Sequence, residues 1–219
     1  MVEGRLDGNV HDLISKLDRE NPRMGEVKKL AASIKKNHDL ALELWAKGDF
    51  LSRLVSVLIM DKALISQELV EALVEDMAKH PKAARDRLSE WFMANQLMKS
   101  KATIALLESW REHELPTLRR LYWYYQARLR WTGKIPNDNA AELLGYLQQD
   151  MVNEVPEVQW TMNFTVAWTG VYEAKYRKEC VALGERLGLY TGEKLFAGCT
   201  PNYLPDFIKV EVGKREAKA

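Results

Sequence analysis

A stretch of arginines interleaved with aromatic residues lies near the middle of this 219-residue chain. It reads LRRLYWYYQARLRWTGK over residues 118–134. Guanidinium groups bind phosphate and aromatic rings stack on sugars and bases, so this combination suits contact with a nucleic acid. On a helix, one face would carry Arg120, Tyr124, Arg128 and Trp131, and an adjacent face Arg119, Trp123 and Arg130. All of these except Trp131 are our candidate DNA-binding residues.

The charge around this stretch is uneven, although the whole chain is almost neutral. The chain has 32 Lys and Arg against 31 Asp and Glu, a net charge of +1. Residues 115–137 contain five basic and no acidic residues, whereas residues 138–157 contain five acidic and no basic ones. Near-neutrality therefore does not exclude a nucleic-acid partner, because the two signs can lie on different surfaces.

The same stretch also has a purely structural interpretation. Tyr122, Trp123 and Tyr125 would then lie in the core. The arginines would extend along it to solvent, or pair with the acidic segment that follows. The sequence leaves both interpretations open.

Other chemistries find little support. Cys180 and Cys199 form no CxxC pair, and the four histidines form no HExxH motif, so we expect no redox dithiol and no bound metal. We also expect no cofactor. The N-terminus lacks the apolar run of a signal peptide, and the charge-free run over residues 158–172 is too short and polar to span a bilayer. We therefore expect a cytoplasmic protein.

Short helices must position these residues. Apolar residues recur at helical spacing, as in Leu69, Leu73 and Met77, and glycine or proline interrupts the pattern at regular intervals. No segment alternates as a strand would. The sequence predicts an all-α fold of about ten or eleven helices, a bundle or an α-solenoid of helix pairs. We expect one domain over 1–219, in which residues 191–219, with two prolines, form an extended tail packed on the last helices.

Three segments resemble the bacterial DNA alkylation repair family, the AlkD-like HEAT-repeat proteins. They read DLALELWAKGDFLSRLVSVLIMDKALIS, LSEWFMANQL and EVQWTMNFTVAWTGVY, and the resemblance covers residues 25–190. It implies a curved α-solenoid, a right-handed superhelix of HEAT-like helix pairs with a concave basic face for duplex DNA. It also implies removal of cationic N3- and N7-alkylated purines, the activity of the family's glycosylases.

The resemblance further implies a catalytic site of two tryptophans and an aspartate that hold the deoxyribose. The first tryptophan falls on Trp91, the aspartate position on Asn95, and the second tryptophan on Phe164. In the family, the carboxylate stabilises the oxocarbenium-like sugar as the base departs. Loss of one such contact costs about 3–4 kcal/mol, or on the order of 10²–10³ in rate. Alternatively, these side chains only pack against neighbouring helices.

Two functions follow from these residues. The first is an alkylpurine DNA glycosylase with an altered site at Trp91, Asn95 and Phe164. The second is a HEAT-like protein that binds DNA, including damaged or branched DNA, without excising a base. In both we expect a monomer on double-stranded DNA, alkylated or otherwise damaged. A third hypothesis is a helical scaffold for a protein partner.

Overall fold

The structure, a computed structural model, describes residues 10, 12–15, 17, 22–134, 139–194 and 198–217. Within these residues eleven α-helices have both ends defined, and no β-strand occurs. The all-α prediction is confirmed. The helices are α1 (Met24–Ile34), α2 (His38–Ala46), α3 (Phe50–Ile59), α4 (Gln67–Ala78), α5 (Lys82–Asn95), α6 (Lys101–Ser109), α7 (Pro116–Trp131), α8 (Ala140–Asp150), α9 (Pro156–Tyr172), α10 (Arg177–Leu187) and α11 (Leu204–Glu216).

The helices form two compact units, residues 1–108 and 109–219, which divide near the end of α6. The first unit holds α1 to α5 and nearly all of α6, and the second holds α7 to α11. The expectation of one domain over 1–219 stays a prediction. Among the described residues, each helix is too short or too polar to cross a bilayer.

Helix α3 is the centre of the first unit. Eight of its ten residues are buried, and it packs against α1, α2 and α5. Its first turn is capped by Asp49, whose carboxylate accepts from Ser52 N at 3.0 Å. Such a cap contributes about 1 kcal/mol and fixes where the helix begins. Helix α5, which carries Trp91 and Asn95, therefore packs against a helix that is itself buried in the core.

Helices α7 and α9 form the most extensive helix pair of the second unit. Three threonines at every fourth position of α9, Thr161, Thr165 and Thr169, are buried. The Thr165 hydroxyl donates to the Trp123 carbonyl of α7 at 2.6 Å. These small side chains let the two backbones approach closely, and the aromatic side chains of α9 lie on the neighbouring face of the helix.

The prediction of an extended tail over 191–219 is wrong for residues 204–216, which form α11. Pro205 stands in the first turn of this helix, where a missing N–H is harmless and the fixed φ favours helix formation, so the proline begins the helix. The expected packing on the last helices is confirmed, since α11 packs against α9 and α10.

Two glycines make room for α11. A Cβ added at Gly170 would lie 2.6 Å from Ile208 Cδ1, and one added at Gly184 would lie 2.5 Å from Leu204 Cβ. Both distances are shorter than a carbon–carbon contact allows. A larger residue at Gly170 therefore requires the Ile208 side chain to move, and one at Gly184 requires α11 itself to shift, because the contact there is with Leu204 Cβ and Pro205.

We predict that Gly184→Ala lowers the free energy of unfolding by about 1–3 kcal/mol, because the methyl group overpacks the α10–α11 contact. Urea unfolding followed by circular dichroism measures the change. Gly145→Ala is the matched control: this glycine is also helical, an added Cβ there meets nothing within 4 Å, and the higher helix propensity of alanine should stabilise the protein. Equal stabilisation by both variants would contradict the close packing of α11.

Candidate functional site

Trp91 and Asn95 lie one turn apart on α5, as their spacing predicted. The Trp91 indole N–H donates to the Leu54 carbonyl of α3 at 3.1 Å, which fixes the half-buried ring against the centre of the first unit. The Asn95 amide donates to the Trp91 carbonyl at 2.8 Å. The side chain at the expected carboxylate position is therefore neutral and bonded to its own helix.

An open groove with a volume of about 330 Å³ lies beside Asn95, and we call it the lysine groove. The Lys28 ammonium lies 5.3 Å from the centre of the Trp91 ring. Lys36 is paired with Asp61 at 2.8 Å, whereas Lys28 and Lys35 form no ion pair with the described residues. In the part of the chain that the structure describes, no carboxylate lines the groove. Its lining consists of Lys28, Ala31, Ala32, Lys35, Lys36, Leu58 and Asn95.

The backbone of Lys35 is strained. Lys35 ends α1 with φ of 67° and ψ of −167°, a combination that essentially only glycine adopts without cost. For another residue type the cost is about 1–3 kcal/mol. Such strain is typical of positions where a particular side chain is required for function. The strained residue lines the lysine groove.

Four of the six candidate residues on α7 are directed into the second unit. Arg119 binds both carboxylate oxygens of Glu154, at 2.7 and 2.9 Å, and this pairing raises the pKa of Arg119. The structural interpretation, pairing with the acidic segment, is therefore confirmed for this arginine. Trp123 and Arg120 are only 2% and 3% exposed.

Arg130 is the most deeply placed of these arginines. It is fully buried, and its Nε lies 2.8 Å from Glu173 Oε1. Its guanidinium also donates to Asn139 Oδ1 at 2.9 Å and to the Gln126 carbonyl. Removal from water lowers its pKa, and the Glu173 carboxylate opposes that change. Arg130 therefore joins the end of α9 to the second half of α7.

Tyr124 and Arg128 are half-buried. The predicted common face of α7 is confirmed by ring contacts: the Arg120 guanidinium lies 5.7 Å from the Tyr124 ring, and the Arg128 guanidinium 5.8 Å from the Trp131 ring. The two rings are 5.5 Å apart. Arg128 forms no ion pair with the described residues. It is therefore the arginine of this stretch whose charge is available on that face.

Phe164 belongs to the second unit, on α9, and contacts rings from both neighbouring helices. It stacks on Trp160 at 4.9 Å and on Tyr124 at 5.9 Å, and meets Phe207 of α11 edge-on at 5.9 Å. Every fourth residue of α9 from 160 to 172 is aromatic and half-buried. With two rings of α7 they form what we call the aromatic surface: Tyr124, Trp131, Trp160, Phe164, Trp168 and Tyr172.

The aromatic surface and the lysine groove were not among the sites predicted from the sequence. The four-residue spacing of the aromatic residues along α9 was visible and could have identified the aromatic surface. The lysines at positions 28 and 35, seven residues apart or about two helical turns, were a comparable signal. In the described part of the chain, no group of three or more His, Cys, Asp or Glu side chains could hold a metal ion.

We predict that Arg130→Met lowers the free energy of unfolding by about 3–5 kcal/mol, since it leaves the Glu173 carboxylate buried without its partner. Arg128→Met removes the same charge from the same helix at a half-buried position, and should change stability by no more than about 0.5 kcal/mol. Urea unfolding of both variants measures the difference. Similar stabilities would contradict the structural role of Arg130.

The chain is similar to proteins of DNA repair in both sequence and fold. A family model described as DNA alkylation repair enzyme matches residues 22–177. No curated protein matches the chain. A solved structure described as a new family of proteins related to the HEAT-like repeat DNA glycosylases with affinity for branched DNA structures is 16% identical, with a TM-score of 0.65. The match covers 90% of this chain and 81% of that one, and shows the HEAT-like repeat fold.

Proposed function

This chain belongs to the DNA alkylation repair enzyme family, and we propose that it binds the sugar–phosphate backbone of duplex DNA without excising bases. The lysine groove carries the proposal. Beside Trp91 and Asn95 it presents two ammonium groups that have no ion-pair partner among the described residues, and no carboxylate from these residues lines it. The related structure, which shares the fold, is described as having affinity for branched DNA.

The charge of the groove opposes the chemistry of base excision. When a cationic purine departs, positive charge develops on the sugar, and a neighbouring carboxylate stabilises it. A sugar held against Trp91 would instead face the Asn95 amide and the Lys28 ammonium. Two unit positive charges about 6 Å apart repel by about 3 kcal/mol at an effective dielectric constant of about 20. The groove would therefore slow the reaction that the family's aspartate accelerates.

The same charges favour a phosphate. An ammonium group binds a phosphate oxygen as a point charge and releases a counterion from the DNA. Lys28 is exposed over the Trp91 ring, and Lys35 is exposed and lines the groove. In the second unit, the unpaired charge of Arg128 provides a separate contact for the backbone.

We predict that Lys35→Gly weakens duplex binding while stabilising the protein. Loss of one phosphate contact should reduce the slope of log K against log salt by about 0.9. Glycine should raise the free energy of unfolding by about 1 kcal/mol, because it adopts the Lys35 backbone without strain. Fluorescence anisotropy over a salt series and urea unfolding measure the two effects.

Two further variants separate charge from strain. Lys35→Ala should lose as much affinity as Lys35→Gly without the gain in stability, because it removes the charge and keeps the strain. Lys29→Ala removes an exposed charge from α1 that does not line the groove, and should leave the salt slope unchanged. An unchanged affinity in both Lys35 variants would refute phosphate binding at this position.

We further predict no base release from duplex DNA that carries N7-methylguanine or N3-methyladenine. Stoichiometric protein should leave the spontaneous rate unchanged, as measured by chromatography of the free base. Release above that rate, abolished by Trp91→Ala and retained by Tyr146→Ala, would instead support the alkylpurine glycosylase, with Trp91 against the sugar and Asn95 in place of the aspartate.

A further inference from the structure

We infer that the aromatic surface of the second unit binds unpaired DNA bases by stacking. This inference rests on the proposed function and deepens it, since it names the class of DNA that the protein prefers. That class is DNA in which a strand exposes bases outside the duplex, as at a gap, a flap or a junction.

Three rings of the aromatic surface are nearly parallel. Phe164 is inclined by 19° to Trp160 and by 14° to Tyr124, with ring centres 4.9 and 5.9 Å apart. Trp160 and Tyr124 are inclined by 21° at 6.5 Å. The three side chains come from two helices that are locked together by their close packing. They therefore provide a preformed platform, which loses little side-chain entropy when a flat partner stacks on it.

The rings of the aromatic surface are only partly covered by the rest of the unit. Thr165 of α9 bonds to the backbone of α7, and the aromatic residues of α9 contact rings of α7 and α11 along one side of that contact. All six rings of the aromatic surface remain half-buried and contact one another. A contiguous apolar patch of this kind marks a binding surface.

The charges around the patch identify the partner as a nucleic acid. The Arg215 guanidinium lies 3.8 Å from the centre of the Tyr172 ring, and that of Arg128 5.8 Å from the Trp131 ring. Neither arginine forms an ion pair with the described residues. Rings for stacking beside cations for phosphate are the combination that binds single strands. In a duplex the faces of the bases are covered by their neighbours, so this surface acts on unpaired bases.

The test compares two strands that differ only in their bases. Binding of a fluorescent 20-nucleotide oligothymidine is measured against an abasic sugar–phosphate strand of the same length and against a duplex. For the unaltered protein we expect the thymidine strand to bind on the order of 10-fold to 100-fold more tightly than the abasic strand. Trp160→Leu should remove most of that difference and leave duplex binding unchanged.

Tyr146→Leu is the matched control, because Tyr146 is a half-buried aromatic residue of the same unit that lies outside the aromatic surface and packs on Arg111 at 3.6 Å. It should preserve the preference for the thymidine strand. Sedimentation velocity of the unaltered protein and Trp160→Leu shows whether the patch joins two copies instead. A dimer that Trp160→Leu dissolves, with thymidine binding unchanged, would overturn the inference.

Equal affinity of the unaltered protein for the thymidine and abasic strands would also overturn it, and this comparison needs no variant that might unfold. The measurement of duplex binding tests the proposed function separately. Loss of duplex binding by the unaltered protein refutes phosphate binding by the proposed sites, whereas loss of base preference alone refutes only the stacking surface.

Discussion

The contact between α7 and α9 determines the character of the whole second unit. The small buried threonines of α9 lie against α7, and the Thr165 hydroxyl bonds to a backbone carbonyl there. Because side chains four residues apart share a face, the aromatic residues of α9 must then lie on a different face, beside Tyr124 and Trp131. One packing choice thus buries the middle of both helices and brings the aromatic surface together.

The ion pairs of the second unit neutralise part of the positive charge that the sequence places on α7. The basic and acidic segments that adjoin in sequence partly neutralise each other in space, as in Arg119 and Glu154. Arg130 is likewise paired, although with a carboxylate at the end of α9. Lys28 and Lys35 in the first unit, and Arg128 and Arg215 in the second, form no ion pair with the described residues.

Local rules account for what the sequence predicted correctly. Helical periodicity predicted the all-α fold, the adjacency of Trp91 and Asn95, and the common face of Arg120, Tyr124, Arg128 and Trp131. It could not distinguish a solvated arginine from a buried one, since the partners of Arg119 and Arg130 lie 35 and 43 residues away in sequence. It also misread Pro205, because a proline has the same appearance in sequence whether it begins a helix or prevents one.

The division of the chain into two units also bears on how the protein is made. Every residue that lines the lysine groove lies between positions 28 and 95, and α3 and α5, which support it, lie in the same interval. Synthesis proceeds from the N-terminus at about 5–20 residues per second, so this segment leaves the ribosome several seconds before the last helices. All residues that line the groove have been synthesised while α9 and α11 are still being translated. The groove can therefore form before the aromatic surface does.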